Sequence, residues 1–449
     1  MQDLERKGYL FSNHDLLKLI IPLVIEQLLA VTVGMADTIM IAAVGESAVS
    51  AVSLVDSVNI LLINIFAALA TGGAVVCGQF LGKRQQKRAC MAADQLLLFT
   101  TGAAVLVMIL VYFLKSWILG TVFGKIEPDV MQQANTYIMI VTASIPFIAL
   151  YNSGAALFRT MGNSKISMFT SLIMNGVNIT GNAIMIYGMK MGVAGAAIPT
   201  LISRITAAII IYILIRNPKL ILHTSTPVVL KPEFTFIKKI LYIGVPNGLE
   251  NSMFQLGKIL VLSLVSSFGT ASIAANAVGN NVATFQCLPG MAVGLALITV
   301  ISRCVGAGDY KQARYYNRKL LYIAYGCMLL TNILIFFLLP LILRAYNLSD
   351  ITEEYARQIL LYHGTMCIFI WPLSFSIANT LRAANDVKFT MVVSIASMWI
   401  FRIGMSYLLG QYFHMGLFGV WVAMTIDWAV RAVLFTVRYL GKRWEAHTI

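Results

Sequence analysis

The stretch Val33-Gly34-Met35-Ala36-Asp37-Thr38-Ile39-Met40-Ile41-Ala42 lies within a nearly continuous apolar run from Leu19 to Val44. A helix of that length crosses the roughly 30 Å of hydrocarbon in a bilayer. The stretch therefore decides the class of fold, because it belongs in lipid or against other membrane helices. It also raises a question, since a carboxylate such as Asp37 is costly at that depth and points to function.

The rest of the chain is of the same kind. Of 449 residues, 59% are hydrophobic and 12% are charged, and the mean hydropathy is +0.80. A soluble domain carries roughly twice that charged fraction. The opening residues MQDLERKGYLFSNHD are polar and charged and do not form a cleavable signal peptide. The net charge of +14 sits in short connections between apolar segments, which speaks for membrane orientation and against nucleic acid. Cys77, Cys90, Cys287, Cys304, Cys327 and Cys367 are scattered without a Cys-x-x-Cys pair, so they read as ordinary helix residues.

Breaks at charged, proline and glycine positions give twelve spans. They cover 16–43, 51–80, 94–119, 134–158, 166–188, 193–216, 237–266, 274–302, 319–343, 359–381, 389–410 and 416–440. The longest polar connection, Asn217 to Thr235, holds three prolines and reads as a linker. This predicts an all-α integral membrane protein with an amino-terminal six-helix lobe (1–217), a cytoplasmic linker (218–235) and a carboxyl-terminal six-helix lobe (236–449). Connections after the even-numbered spans up to the tenth hold eighteen Lys and Arg, among them Arg84, Arg159, Lys231, Lys311 and Arg382; the alternate ones hold five. That asymmetry places both termini in the cytoplasm.

The halves resemble each other at an offset of 224. Pro22-Leu-Val-Ile-Glu26-Gln27 is matched by Pro246-Asn-Gly-Leu-Glu250-Asn251, Gly45 by Gly269, Asp56 by Asn280 and Gly192 by Gly416. Near the same offset Arg159 meets Arg382 and Lys165 meets Lys388. An even number of spans per half makes this a parallel, pseudo-symmetric repeat, an arrangement that puts substrate sites between halves near mid-membrane.

MADTIMIAAVG (Met35 to Gly45), GQFLGKRQQKRA (Gly78 to Ala89), RCVGAGDYKQAR (Arg303 to Arg314), LFRTMGNSK (Leu157 to Lys165) and GVAGAAIPTLIS (Gly192 to Ser203) occur in order on these spans. In this the whole chain resembles the bacterial type of the multidrug and toxic compound extrusion (MATE) transporters. The resemblance implies two six-helix lobes forming a V and export of a solute coupled to inward flow of protons or sodium ions. It also implies an ion-coupling aspartate at Asp37 and, in one branch of the family, a cation site that combines Asp, Asn, a second Asp and Thr. Asp37, Asn178, Asn182 and Thr200 match those positions, with Asn182 where the second Asp stands, which weakens a sodium site. Gly82, Gly306 and Gly308 read as tight turns, because a phosphate cradle needs a strand before it.

Depth along the first span separates its two carboxylates: Glu26 lies ~12 Å and Asp37 nearly ~30 Å beyond Lys18. For Asp37 two readings stand, a wetted interface residue and an ion-coupling group. Asn175, Asn178 and Asn182 share a helix face, and so fit either a coupling site or interhelical hydrogen bonding. Glu26 and Glu250 occupy equivalent repeat positions, as candidates to bind a cation, share a proton or brace helix ends. Asn247, Asn251, Gln255 and Lys258 form a polar stripe on the seventh span; Asn276, Asn280 and Thr284 form another on the eighth. Lys258, Arg402 and Arg431 make the carboxyl-terminal lobe basic inside, although Asp427 precedes Arg431 by one turn and can neutralise it.

The reading of the sequence is a secondary antiporter in the bacterial inner membrane that exports amphipathic small molecules in exchange for protons or sodium ions. It is expected to act as a monomer without cofactor and without enzymatic activity. Lys258 and Arg402 favour one alternative, a flippase of the same superfamily for an anionic lipid-linked precursor. A membrane-embedded enzyme would need clustered acids or histidines, and His14, His223, His363, His414 and His447 are dispersed.

Overall fold

A computed structural model describes residues 8–122, 127–225 and 231–446. Among these residues the secondary structure is helical, with fifteen α-helices and no strand. The first half contains α1 (Asn13–Ala42), α2 (Glu46–Gly82), α3 (Gln86–Trp117), α4 (Pro128–Thr142), α5 (Ile145–Thr160), α6 (Ser164–Asn182) and α7 (Ala194–Ile215). The second contains α8 (Phe234–Ser266), α9 (Thr270–Gly306), α10 (Tyr310–Ala345), α11 (Asp350–Trp371), α12 (Ile377–Ala383), α13 (Val387–Ser397), α14 (Met405–Tyr407) and α15 (Gly416–Leu440).

Nine helical stretches among the described residues are long and apolar enough to cross a membrane, and the pair α4 and α5, bent by 45°, makes a tenth. The bend falls where Pro146, which has no N–H to donate, enters the first turn of α5. The other two predicted spans correspond to α6 and α8. Asn175, Asn178 and Asn182 dilute the hydropathy of α6; Asn247, Glu250, Asn251, Gln255 and Lys258 dilute that of α8. Each of the twelve predicted spans thus has a helical counterpart, and α6 and α8 carry several of the candidate residues.

The repeat is visible in local backbone geometry. Gly45 before α2 and Gly269 before α9 have φ of 139° and 99°; Gly192 before α7 and Gly416 at the start of α15 have φ of 62° and 57°. A side chain is strained at such angles, so glycine recurs at both members of each pair. The π-helical turns Ala183–Gly188 and Leu408–Tyr412 also fall near one offset. Gly308, at φ 71°, sits in the turn between α9 and α10, and Gly82 and Gly306 end their helices.

The chain packs as two compact units, residues 17–248 and residues 1–16 together with 249–449. This division differs from the boundaries read from the sequence at both ends of the first half. Residues 8–11 join the second unit through hydrogen bonds: Tyr316 Oη donates to the Phe11 carbonyl, and Gln312 Nε2 donates to the Gly8 carbonyl at 2.8 Å. The connection before α8 joins the first unit, because Gln95 Nε2 donates to the Lys231 carbonyl and Ser225 Oγ to Asp94 Oδ2. Pro227 of the predicted linker lies outside the described residues.

In the first unit, Ala48, Val55, Ala134, Val141 and Ala197 from α2, α4 and α7 form a core with Met40 and Ile41 of α1. In the second, Val265, Ala275, Leu343, Ala356 and Leu360 pack with Trp421 of α15. Small residues at these contacts let helix backbones approach where no hydrophobic effect drives association. Arg159 and Arg382, counted from the sequence as charges of connecting loops, stand on α5 and α12 with most of their side-chain surface covered. Both are drawn inward by carboxylates, described next.

Candidate functional site

In the first unit α1, α6 and α7 bring Asp37, Asn178, Asn182 and Thr200 into one cluster. Asn182, just before the π turn of α6, donates from Nδ2 to Asp37 Oδ1 at 2.8 Å. One helical turn earlier the Asn178 amide meets the Asp37 carboxylate on one side and Thr200 Oγ1, at 3.1 Å, on the other. Asn178 and Asn182 are buried and Asp37 and Thr200 half-buried. Asn175 points elsewhere and donates to Ser171 Oγ at 3.2 Å.

Two hydrogen-bond schemes fit the Asn178 amide. With its nitrogen toward α1, Asn178 donates to Asp37 Oδ1 at 2.9 Å and accepts from the Thr200 hydroxyl at 3.1 Å. That scheme suits an ionised Asp37, which only accepts. With its oxygen toward α1, Asn178 donates instead to Thr200 Oγ1, and Thr200 donates to the Ala196 carbonyl at 2.9 Å. Its carbonyl then faces the carboxyl group, an arrangement that suits a protonated Asp37 donating to it. Rotation of one amide exchanges the two schemes with respect to Asp37 and Thr200, while Asn182 Nδ2 donates to the Asn178 carbonyl, at 3.3 Å, only in the second.

A second carboxylate, Asp56 of α2, lies in the same electrostatic environment. Tyr137 Oη of α4 donates to Asp56 Oδ1 at 3.1 Å. Arg204 of α7 donates from Nη1 to Ser144 Oγ at 2.7 Å, and its charge acts on both Asp37 and Asp56. Sequence reasoning missed Arg204 and Tyr137 and used Asp56 only to align the repeat. The available signal was an arginine alone inside the apolar run of α7, which is itself an expensive placement.

The twinned glutamates are each held by an arginine of their own unit. Arg159 Nη1 lies 3.1 Å from Glu26 Oε1, while Ser167 Oγ donates to Glu26 Oε2 at 2.6 Å. Arg382 Nη2 lies 2.7 Å from Glu250 Oε1, and Arg382 Nη1 donates to Asn379 Oδ1. These are the arginines that the repeat alignment pairs. Both glutamates are buried, so their charges are compensated locally.

In the second unit Asp427 and Arg431 neutralise each other as their spacing predicts. The ion pair measures 2.8 Å, both side chains are fully buried, and Ser397 Oγ donates to Asp427 at 2.5 Å. Arg431 also lies over the rings of Phe254 and Phe375. The Lys258 side chain is accessible on α8, while Arg402 is half-buried in a π-helical turn. Arg402 acts on Lys258 with like charge, and Asp427, its own carboxylate neighbour, is engaged by Arg431. Asn276 accepts from Trp421 Nε1 at 3.0 Å and is buried, whereas Asn280 is exposed and Asn251 and Gln255 are half-buried.

The repeats have therefore diverged in charge. Counting the same offset of 224, Asn178 of the first unit corresponds to Arg402 of the second, and Asp37 to Val261. The aspartates of the first unit, Asp37 and Asp56, meet the uncharged Val261 and Asn280, and an arginine stands where the first unit has Asn178.

Comparison with known proteins agrees with this architecture. The MatE family model matches residues 22–184 and again residues 246–408, two matches that begin and end 224 residues apart. The chain is 28% identical over 441 residues to the uncharacterized transporter YisQ of Bacillus subtilis, covering 96% of this chain and 95% of that one. It is 23% identical to the probable multidrug resistance protein NorM of Thermotoga maritima, covering 97% and 94%. Among solved structures, MATE in complex with MaL6 superposes with a TM-score of 0.89 at 19% identity, covering 95% of each chain. A MOP superfamily transporter from Pyrococcus furiosus, described as having a binding pocket of reverse polarity, superposes with a TM-score of 0.88 at 20% identity over 97% of this chain and 96% of that one. Two family matches in register with the internal repeat, spanning most of both halves, settle the question the sequence raised: the chain belongs to the MatE family.

Proposed function

We propose that this protein is a multidrug exporter of the membrane, driven by protons that bind at Asp37 and exchanged through alternating motion of its two halves. The name of the Thermotoga relative supports the substrate class, a range of amphipathic small molecules. The observation that supports the coupling is the Asn178 amide, which can donate to an ionised Asp37 or turn its carbonyl toward a protonated one while keeping Thr200 as a partner. A proton can then come and go with little rearrangement beyond one amide rotation. Sodium fits less well, because Asn182 supplies no second carboxylate and the Arg204 guanidinium already acts on Asp37. Its carbonyl oxygen, Asn182 Oδ1, is buried without a hydrogen-bond partner among the described residues and is the atom a cation would use.

Everted vesicles containing the protein and loaded with a fluorescent cationic dye test this reading. An imposed pH gradient should drive transport, and an imposed sodium gradient at constant pH should not. Transport driven equally well by sodium alone would overturn the proton assignment.

A second reading rests on Lys258 and Arg402. Their uncompensated charges favour an anionic group on the transported molecule, as in a flippase for a lipid-linked precursor, and the reverse-polarity pocket described for the Pyrococcus relative gives that reading a parallel. Competition of dye export by amphipathic anions, lost in Lys258→Gln, distinguishes the two.

A further inference from the structure

Cys287 of α9 and Cys367 of α11 are free thiols whose sulfurs stand 3.4 Å apart. They differ in access: Cys367 is fully buried and Cys287 half-buried. His363 stands one turn before Cys367 on α11, and its imidazole acts on the Cys287 thiol, which brings three reactive side chains together.

The neighbours fix the chemistry of the ring. Gln286 Nε2 donates to the Leu360 carbonyl at 3.2 Å, which turns Gln286 Oε1 toward His363. That oxygen is 2.6 Å from His363 Nδ1, so Nδ1 carries the proton and donates. The other nitrogen, Nε2, is then the unprotonated one and can accept a proton. Trp421 and Trp428 hold the ring edge-on at 5.3 and 5.2 Å between centroids, which limits its rotation. A thiol, a base in a fixed tautomer and a second thiol at contact distance are the parts a peroxide-reactive cysteine pair needs.

We infer that Cys287 and Cys367 form a redox site that hydrogen peroxide closes into a disulfide tethering α9 to α11. His363 Nε2 accepts the Cys287 proton, and the thiolate attacks one peroxide oxygen. An S–O bond forms, the O–O bond breaks, and the departing hydroxide takes the proton from His363 to leave as water. The Cys367 thiol then displaces the second hydroxyl as water, and the S–S bond forms. Two thiols lose two electrons and peroxide gains them, giving one disulfide and two waters. The sulfurs must approach by only ~1.4 Å, within reach of side-chain rotation. The tether closes one turn before the π-helical turn Pro372–Ser376, where α11 gives way to α12.

The test uses the full chain in proteoliposomes treated with hydrogen peroxide and then denatured for thiol counting. Two of the six thiols should disappear, digestion should yield a peptide joining positions 287 and 367, and dithiothreitol should restore both. In Cys367→Ser, and equally in Cys367→Ala, dimedone should capture a sulfenic acid at Cys287. Capture there should exceed capture at half-buried Cys327 by about tenfold, and His363→Gln added to Cys367→Ser should remove most of that advantage. A joined peptide absent from the wild-type digest, or Cys287 oxidised no faster than Cys327 in both Cys367 variants, would overturn the assignment independently of the His363 variant.

Discussion

Asn182 Nδ2 donates to Asp37 Oδ1 at 2.8 Å, and so ties α6 to α1 at the one carboxylate of the α1–α6–α7 cluster. Asparagine holds a carboxylate in place without neutralising it. An arginine partner would compensate that charge, as Arg159 does for Glu26 at 3.1 Å.

Asp37→Asn keeps the side chain's size and its contact with α6 but cannot take up a proton. Transport driven by a pH gradient should fall by at least about tenfold, with expression and thermal stability near wild type. Dye flux in vesicles measures it, and pumping at the wild-type rate would remove Asp37 from the coupling site.

Asn182→Asp restores a second carboxylate beside Asp37. The double negative charge should recruit a cation despite Arg204, and sodium should raise the thermal stability of the purified variant while leaving wild type unchanged. A melting curve with sodium against potassium at matched ionic strength decides. No sodium-specific shift means that Arg204 dominates the field of the site.

Arg204→Gln tests that field directly. It retains a donor toward Ser144 and deletes the charge that acts on Asp37 and Asp56. The pH dependence of transport should move while the substrate concentration for half-maximal flux stays within about twofold. An unchanged pH profile would make Arg204 a structural residue only.

Arg382→Met leaves Glu250 buried without its cation. Removing one member of such a pair costs about 3–5 kcal/mol, so the variant should melt well below wild type. Adding Glu250→Gln should recover much of the loss, because the stranded charge is then gone. Equal melting of the single and double variants would show that the pair contributes little.

Orientation is tested by labelling single cysteines in a background with the native six replaced. Cysteines at Arg84, Lys231 and Lys311 should react with an impermeant reagent only from the cytoplasmic side, and those at Glu127 and Glu353 only from outside. Labelling at 231 from outside would reverse the assignment made from the positive charges.

The sequence by itself determined the fold class and the 224-residue repeat, and of its twelve expected spans nine or ten are matched among the described residues by helices long and apolar enough to cross a membrane. Hydropathy reports the solvent of each segment directly, and the prolines and glycines that stop or bend a membrane helix are read in one dimension. It also singled out Asp37, Asn178, Asn182 and Thr200 through a family resemblance, and predicted the Asp427–Arg431 pair because residues four apart on a helix must meet. Only the tertiary structure decided which charges are compensated. Arg159 and Arg382 looked like loop residues until α5 and α12 carried them to Glu26 and Glu250, 133 and 132 residues away. Arg204 came to act by its charge on Asp37, and Cys287 met Cys367, through the same folding of distant segments. Such partners are fixed by how helices pack and rotate against each other, and side-chain packing between distant segments leaves no period in the chain to be read.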